Sequence, residues 1–137
     1  MIYAKYNFEL VRGEDRKIPI VPYYRDSATR EKTPYALSGC ECVMTVCDGL
    51  TGKKLVRLST EDRSILLGNV SDTEFVEALY GEDASAVLLC FSHDLTEKLK
   101  CMRAKYDLFI ISNDDGEEVR DCILIGEISM VKGCTYE

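Results

Sequence analysis

Apolar and polar positions along this chain alternate with a period of two in most of its ordered-looking segments, which is the signature of half-buried strands rather than helices. Residues 2–10 mix aromatic and β-branched side chains, and Arg12-Gly13-Glu14-Asp15 then supplies a turn before Ile18-Pro19-Ile20-Val21. Pro19 and Pro22 each lack a backbone donor, which confines this second segment to a sheet edge or an irregular extended path. Between Glu41 and Cys47 the alternation places Cys42, Met44 and Val46 on one face, and Asp48-Gly49-Leu50-Thr51-Gly52 turns the chain into a return strand over residues 53–59. A brief apolar strand follows at residues 64–67, and residues 86–92 read as a buried strand. Two longer patterns then flank the turn Asn113-Asp114-Asp115-Gly116. In the first, Tyr106, Leu108 and Ile110 share one face and Phe109 and Ile111 the other, as in a central strand covered on both sides. The second, residues 119–131, carries Gly126 in its middle, which suggests a bulge or bend.

Two stretches break the strand rhythm. Residues 70–80 place Phe75, Val76, Leu79 and Tyr80 at helical spacing behind a Ser71/Glu74 capping-box pair, predicting a short helix. Beyond residues 86–92, Thr96 is positioned to cap a turn in which Leu95 and Leu99 close one end of the core. Residues 23–38 have no period and form a long polar loop, a common place for a contact surface. The fold expected is all-β: one domain over residues 1–137, an antiparallel β-sandwich of about eight strands with one or two short helical turns.

A chain of 137 residues can build a core without staples, and 46% hydrophobic with 30% charged residues is a folded composition. The net charge of −7 disfavours a nucleic-acid partner, since an acidic field repels phosphate and gains nothing from counterion release. No run is long enough to span a bilayer, and the N-terminus lacks a signal-peptide pattern, so no membrane partner and a cytoplasmic site of synthesis are expected. The seven cysteines, an odd number, read as reduced thiols, with Cys42, Cys90 and Cys122 in apolar strand runs.

Residue patterns that carry chemistry are weak here. The chain's one histidine, His93, sits beside Asp94, and sequence neighbours usually point their side chains apart; G-x-S-x-G is absent, so no catalytic residue is assigned. Gly49 to Lys54 has two residues between its glycines where a phosphate loop needs four, and reads as a hairpin turn. Cys40 and Cys42 on one strand face stand about 7 Å apart, unlike a zinc knuckle, and Glu117 and Glu118 come too early to close a calcium loop. No metal or cofactor is expected.

The order of the hairpins is the remaining signal. Phe8-Glu9-Leu10-Val11-Arg12-Gly13-Glu14-Asp15 with Ile18 opens the pattern. Leu37-Ser38-Gly39, Val46-Cys47-Asp48 and Thr51-Gly52-Lys53 continue it. Residues 88–92, Leu95-Thr96, Tyr106-Asp107-Leu108, Gly116, Gly126-Glu127-Ile128 and Gly133-Cys134-Thr135 close it. This collinear set resembles the N-terminal β-sandwich of bacteriophage baseplate upper proteins and related stand-alone tail or neck proteins; the cysteine richness and the acidic segment 71–82 lie outside the pattern. The resemblance implies a non-enzymatic virion structural or adaptor protein, located in the virion and assembled in the host cytoplasm. Its partners would be other phage virion proteins, with several copies in a homo-oligomer or ring. Tyr23, Tyr24 and Tyr35 on the long loop are the candidate protein contacts, because tyrosine buries a large area while keeping a polar tip; the alternative is that they pin the loop to its own domain. A ligand-binding sandwich, for carbohydrate or a host receptor, is the second reading, against which the lack of tryptophan counts.

Overall fold

A computed structural model describes residues 4–25, 27–79 and 82–135; Ile2, Asp26 and Tyr80, which belong to expectations above, lie outside the described residues. Among those residues the chain forms twelve strands and one short helix. In order they are β1 (Ala4–Lys5), β2 (Phe8–Val11), β3 (Arg16–Ile20), β4 (Tyr23–Arg25), β5 (Lys32–Pro34) and β6 (Glu41–Asp48). Then come β7 (Lys54–Ser59), β8 (Ile65–Ser71), β9 (Glu74–Glu77), β10 (Ala86–Phe91), α1 (His93–Glu97), β11 (Arg103–Asp114) and β12 (Glu117–Val131). The all-β class holds.

The larger sheet runs β1-β12-β11-β6-β7, with β2 also on β12; a second sheet runs β3-β10-β8-β9, and β4-β5 is a separate hairpin. The expected purely antiparallel pairing gives way at one margin, where β1 and β2 both run parallel to β12. These two are one strand interrupted at Tyr6-Asn7. Across the interruption the Tyr6 amide donates to the Ile125 carbonyl (3.0 Å), and the Asn7 side-chain oxygen accepts from the Glu127 amide (2.9 Å), so the ladder stays satisfied.

Alternation does what the pattern predicts on the inner face. Cys42, Met44 and Val46 of β6, Ala104, Tyr106, Leu108 and Ile110 of β11, and Val87, Leu89 and Phe91 of β10 are all buried in one apolar cluster fed by both sheets. Phe8 bridges the sheets, with its ring 5.9 Å from Phe91 and 5.4 Å from Tyr106. The outer face of β11 differs from the expectation: Phe109 and Ile111 are half-buried rather than fully covered.

Several local readings change. The helix expected over residues 70–80 is the β8–β9 hairpin, whose Asp72 and Thr73 both take positive φ (48° and 70°), as a two-residue turn with the strand twist requires. Helical spacing of a few apolar residues cannot be told from a short hairpin when the turn lacks glycine. Residues 23–38 are not a plain loop but hold the β4–β5 hairpin. The bulge in β12 falls at the register shift opposite Leu108/Phe109, so it is Ile123, not Gly126, that is the extra residue. Gly126 serves a different need, a close backbone approach: any Cβ there would collide with the Tyr6 carbonyl and the Tyr106 ring. The cap of α1 is Ser92, whose hydroxyl accepts from the Leu95 amide (3.3 Å), rather than Thr96. Thr96 is fully buried, its hydroxyl accepting from the Gly13 amide (3.1 Å) and reaching the Glu14 carbonyl (2.9 Å), which ties the helix to the β2–β3 turn. Leu99 is buried and Leu95 packs against the same cluster, as expected.

Candidate binding surfaces

The sheet register builds a surface on the outer face of the larger sheet. Thr45, Asp107 and Ile125 lie side by side on β6, β11 and β12, and Cys47, Lys105 and Glu127 form the next row. With Lys5 and Asn7 at the β1 margin these residues line an open hollow of about 590 Å³. Asp107 stands in its floor, where burial pushes the carboxyl above its ordinary value while the Lys54 ammonium pulls against that. Lysines and carboxylates alternate here, a surface that can meet a polar ligand or the charged side chains of a partner. The clue in the sequence was Asp107 itself, a charged residue at an outward position of the central strand.

The β4–β5 hairpin carries the tyrosines. Tyr23 and Tyr24 are 47% and 44% exposed, whereas Tyr35 is half-buried, packs on the core and meets Tyr24 edge-on with ring centroids 5.2 Å apart. Burial, with Asp121 and Tyr24 nearby, raises the Tyr35 phenol above its ordinary value. The three candidate contacts therefore divide: Tyr35 anchors the hairpin and Tyr24 leans on it, while Tyr23 lines a smaller hollow of about 350 Å³ between β1, the segment after β3, and β12.

His93 and Asp94 do not point apart. The His93 Nε2 lies 3.6 Å from Asp94, and its Nδ1 lies 3.0 Å from Asp15 across the β2–β3 turn, where Asp15 also accepts from the His93 amide (2.6 Å). Asp15, which sequence proximity could not reveal, holds the imidazole pKa above its ordinary value, and hydrogen bonds from His93 hold the Asp15 carboxyl below its own. All three side chains are exposed, so this is a surface clasp at a turn.

The cysteines are free thiols among the described residues, and no three His, Cys, Asp or Glu side chains converge there to hold a metal ion. Cys42 is buried and pushed up to about 12 by desolvation, with Cys40 adding to the rise; Cys90 and Cys122, although in apolar strand runs, are only half-buried. The segment 49–54 is a hairpin turn: the Asp48 carboxylate accepts from the Leu50 (2.8 Å) and Thr51 (3.3 Å) amides, and Gly52 takes φ 76°. The amides a phosphate would need are already bonded. No helix among the described residues is long and apolar enough to cross a membrane. Neither a protein-family model nor a curated protein matches this chain.

Proposed function

We propose that this chain is a non-enzymatic structural adaptor of a bacteriophage particle, at its tail, baseplate or neck, joining other virion proteins in several copies. In this reading the two larger sheets face each other as a β-sandwich, with about eight principal strands forming the rigid body and the short strands decorating it. The observation that carries the proposal is the tyrosine hairpin: Tyr35 fixes it to the core while Tyr23 and Tyr24 are left nearly half exposed, the arrangement of a contact element held ready on a scaffold. Open sheet margins at β7 and β9 add a second means of joining neighbours, by strand addition. His93 supports a non-catalytic role, since both its ring nitrogens face exposed carboxylates rather than a nucleophile.

Mass spectrometry of purified particles from a culture producing the chain tests this directly. The expected result is the chain in stoichiometric copies; its absence from particles overturns the proposal. The hollow over Asp107 favours a second reading, a ligand-binding module for carbohydrate or a host receptor. Binding on a glycan array that is lost in Asp107→Ala would favour that reading, and an array without hits would remove its carbohydrate form.

A further inference from the structure

One margin of each sheet carries a charge opposite to that of the other. Strand β7, the last of the larger sheet, presents Lys54 and Arg57 beside Lys53, with no acidic residue over 53–59. Strand β9, the last of the smaller sheet, belongs to a segment, 71–83, with five acidic residues and no basic one. Asp72, Glu74 and Glu77 of that segment are exposed, and Glu77 also pairs with Arg63 of the same chain at 2.8 Å. Charged edge residues normally prevent strand pairing between copies, and here they do so selectively: β7 repels β7 and β9 repels β9. Of the pairings between these two margins, the attractive one is β7 with β9.

Both margins also have backbone groups available. The Ala78 amide donates to the Leu67 carbonyl, and the alternation of an antiparallel ladder then turns the amides and carbonyls of Phe75 and Glu77 outward. The Thr60 amide donates to the Cys42 carbonyl, which by the same alternation turns those of Arg57 outward. Apolar surface accompanies each edge: Leu50, 95% exposed, at the turn into β7, and Val76 (56%) with Leu79 (71%) along β9. The other basic margin, β3, is a poorer match, because Pro19 lacks a backbone donor.

We infer that the basic β7 margin of one copy docks against the acidic β9 margin of a second copy of this chain, by edge-strand addition. This deepens the adaptor reading and rests on it for its biological setting. The contact is a few residues long, so it is weak in isolation and strengthened by repetition in an assembly.

Charge reversal with rescue tests it. Sedimentation of the full chain is measured over a range of concentration for wild type, for Lys54→Glu/Arg57→Glu, for Glu74→Lys/Glu77→Lys, and for an equal mixture of the two variants, each checked for folding by circular dichroism. Wild type is expected to self-associate more weakly as salt is raised, each variant alone to associate about tenfold less or worse, and the mixture to recover association. Glu77→Pro, which removes an outward amide without touching the β8 ladder, is expected to weaken association as well. A wild-type chain that stays monomeric at every concentration, variants that associate as wild type does, or a mixture that stays apart each overturn the inference. Those outcomes leave the adaptor reading standing, because that is decided by the content of particles.

Discussion

Tyr106 donates its phenolic hydrogen to the backbone carbonyl of Tyr6, reaching across the bare surface of Gly126. Three strands meet in this relationship: β11 supplies the phenol, β12 the gap, and the interrupted β1–β2 margin the carbonyl. Burial pushes the Tyr106 phenol well above its ordinary value, which keeps it a donor. The arrangement explains why a glycine sits mid-strand without positive φ: the requirement is space, not backbone freedom.

Gly126→Ala is therefore expected to destabilise the fold by about 1–3 kcal/mol, as overpacking against backbone does, because the Tyr6 carbonyl cannot move without breaking the margin. Tyr106→Phe should cost about 1 kcal/mol by leaving that carbonyl without its partner. Urea denaturation of both variants checks this, and an alanine variant as stable as wild type would show that the β1–β2 margin yields freely.

Thr96 is a second buried polar link. Its hydroxyl satisfies groups of Gly13 and Glu14, joining α1 to the turn that connects the two sheets. Thr96→Val keeps the shape but strands those groups, at an expected cost of about 1–3 kcal/mol, whereas Thr96→Ser keeps the hydroxyl and should cost less. Thermal denaturation of the two variants side by side distinguishes the hydroxyl from the packing.

How far the sequence could be read follows from the range of each signal. Strict alternation named the inner residues of β6 and β11, since period two is set by the strand itself and needs no partner to be visible. The turns at Asp48 and Gly116 were legible because their residues favour the backbone angles found there. What failed depended on distant chain. The clasp between His93 and Asp15 joins residues 78 positions apart, and the parallel margin on β12 is invisible in local pattern. Tyr35 looked like Tyr23 and Tyr24 because composition cannot say which tyrosine anchors a hairpin and which faces solvent. The hollow around Asp107 needed three strands in register before its residues could be neighbours.

The His93–Asp15 clasp has a defined pH window. His93 titrates above its ordinary value of 6.5, so its contribution is complete below that pH and is lost as pH rises through the higher folded value. Asp15 titrates below its ordinary 3.8, so its contribution is present above that pH and is lost as pH falls through the lower folded value. The clasp is thus fully formed from about pH 3.8 to 6.5. Because it is exposed, its effect on global stability is small and a local probe is needed. His93 is the chain's one histidine, so its ring proton signal is unambiguous by NMR: the midpoint should lie above 6.5 in wild type and move down in Asp15→Asn. An unchanged midpoint in the variant would mean that Asp94 and Glu97 set the shift.

The β8–β9 hairpin turns on a pair of which one residue, Thr73, is ill suited to its backbone. Asp72 and Thr73 sit at φ 48° and 70°, and for a β-branched residue such as Thr73 the left-handed region is strained by roughly 1–2 kcal/mol. Replacing the pair by Asn-Gly, the favoured residues for this turn, should relieve that strain and stabilise the hairpin by about 1 kcal/mol. Because β9 is a margin strand with exposed Val76, and exposed Leu79 follows it, its opening is partly local rather than global. The measurement is amide hydrogen exchange at Glu74 and Val76, whose amides lie in the ladder to β8. Slower exchange there, with core strand β11 unchanged, is the expected result. Unchanged or faster exchange would show that the native turn is already relaxed by contacts of its own.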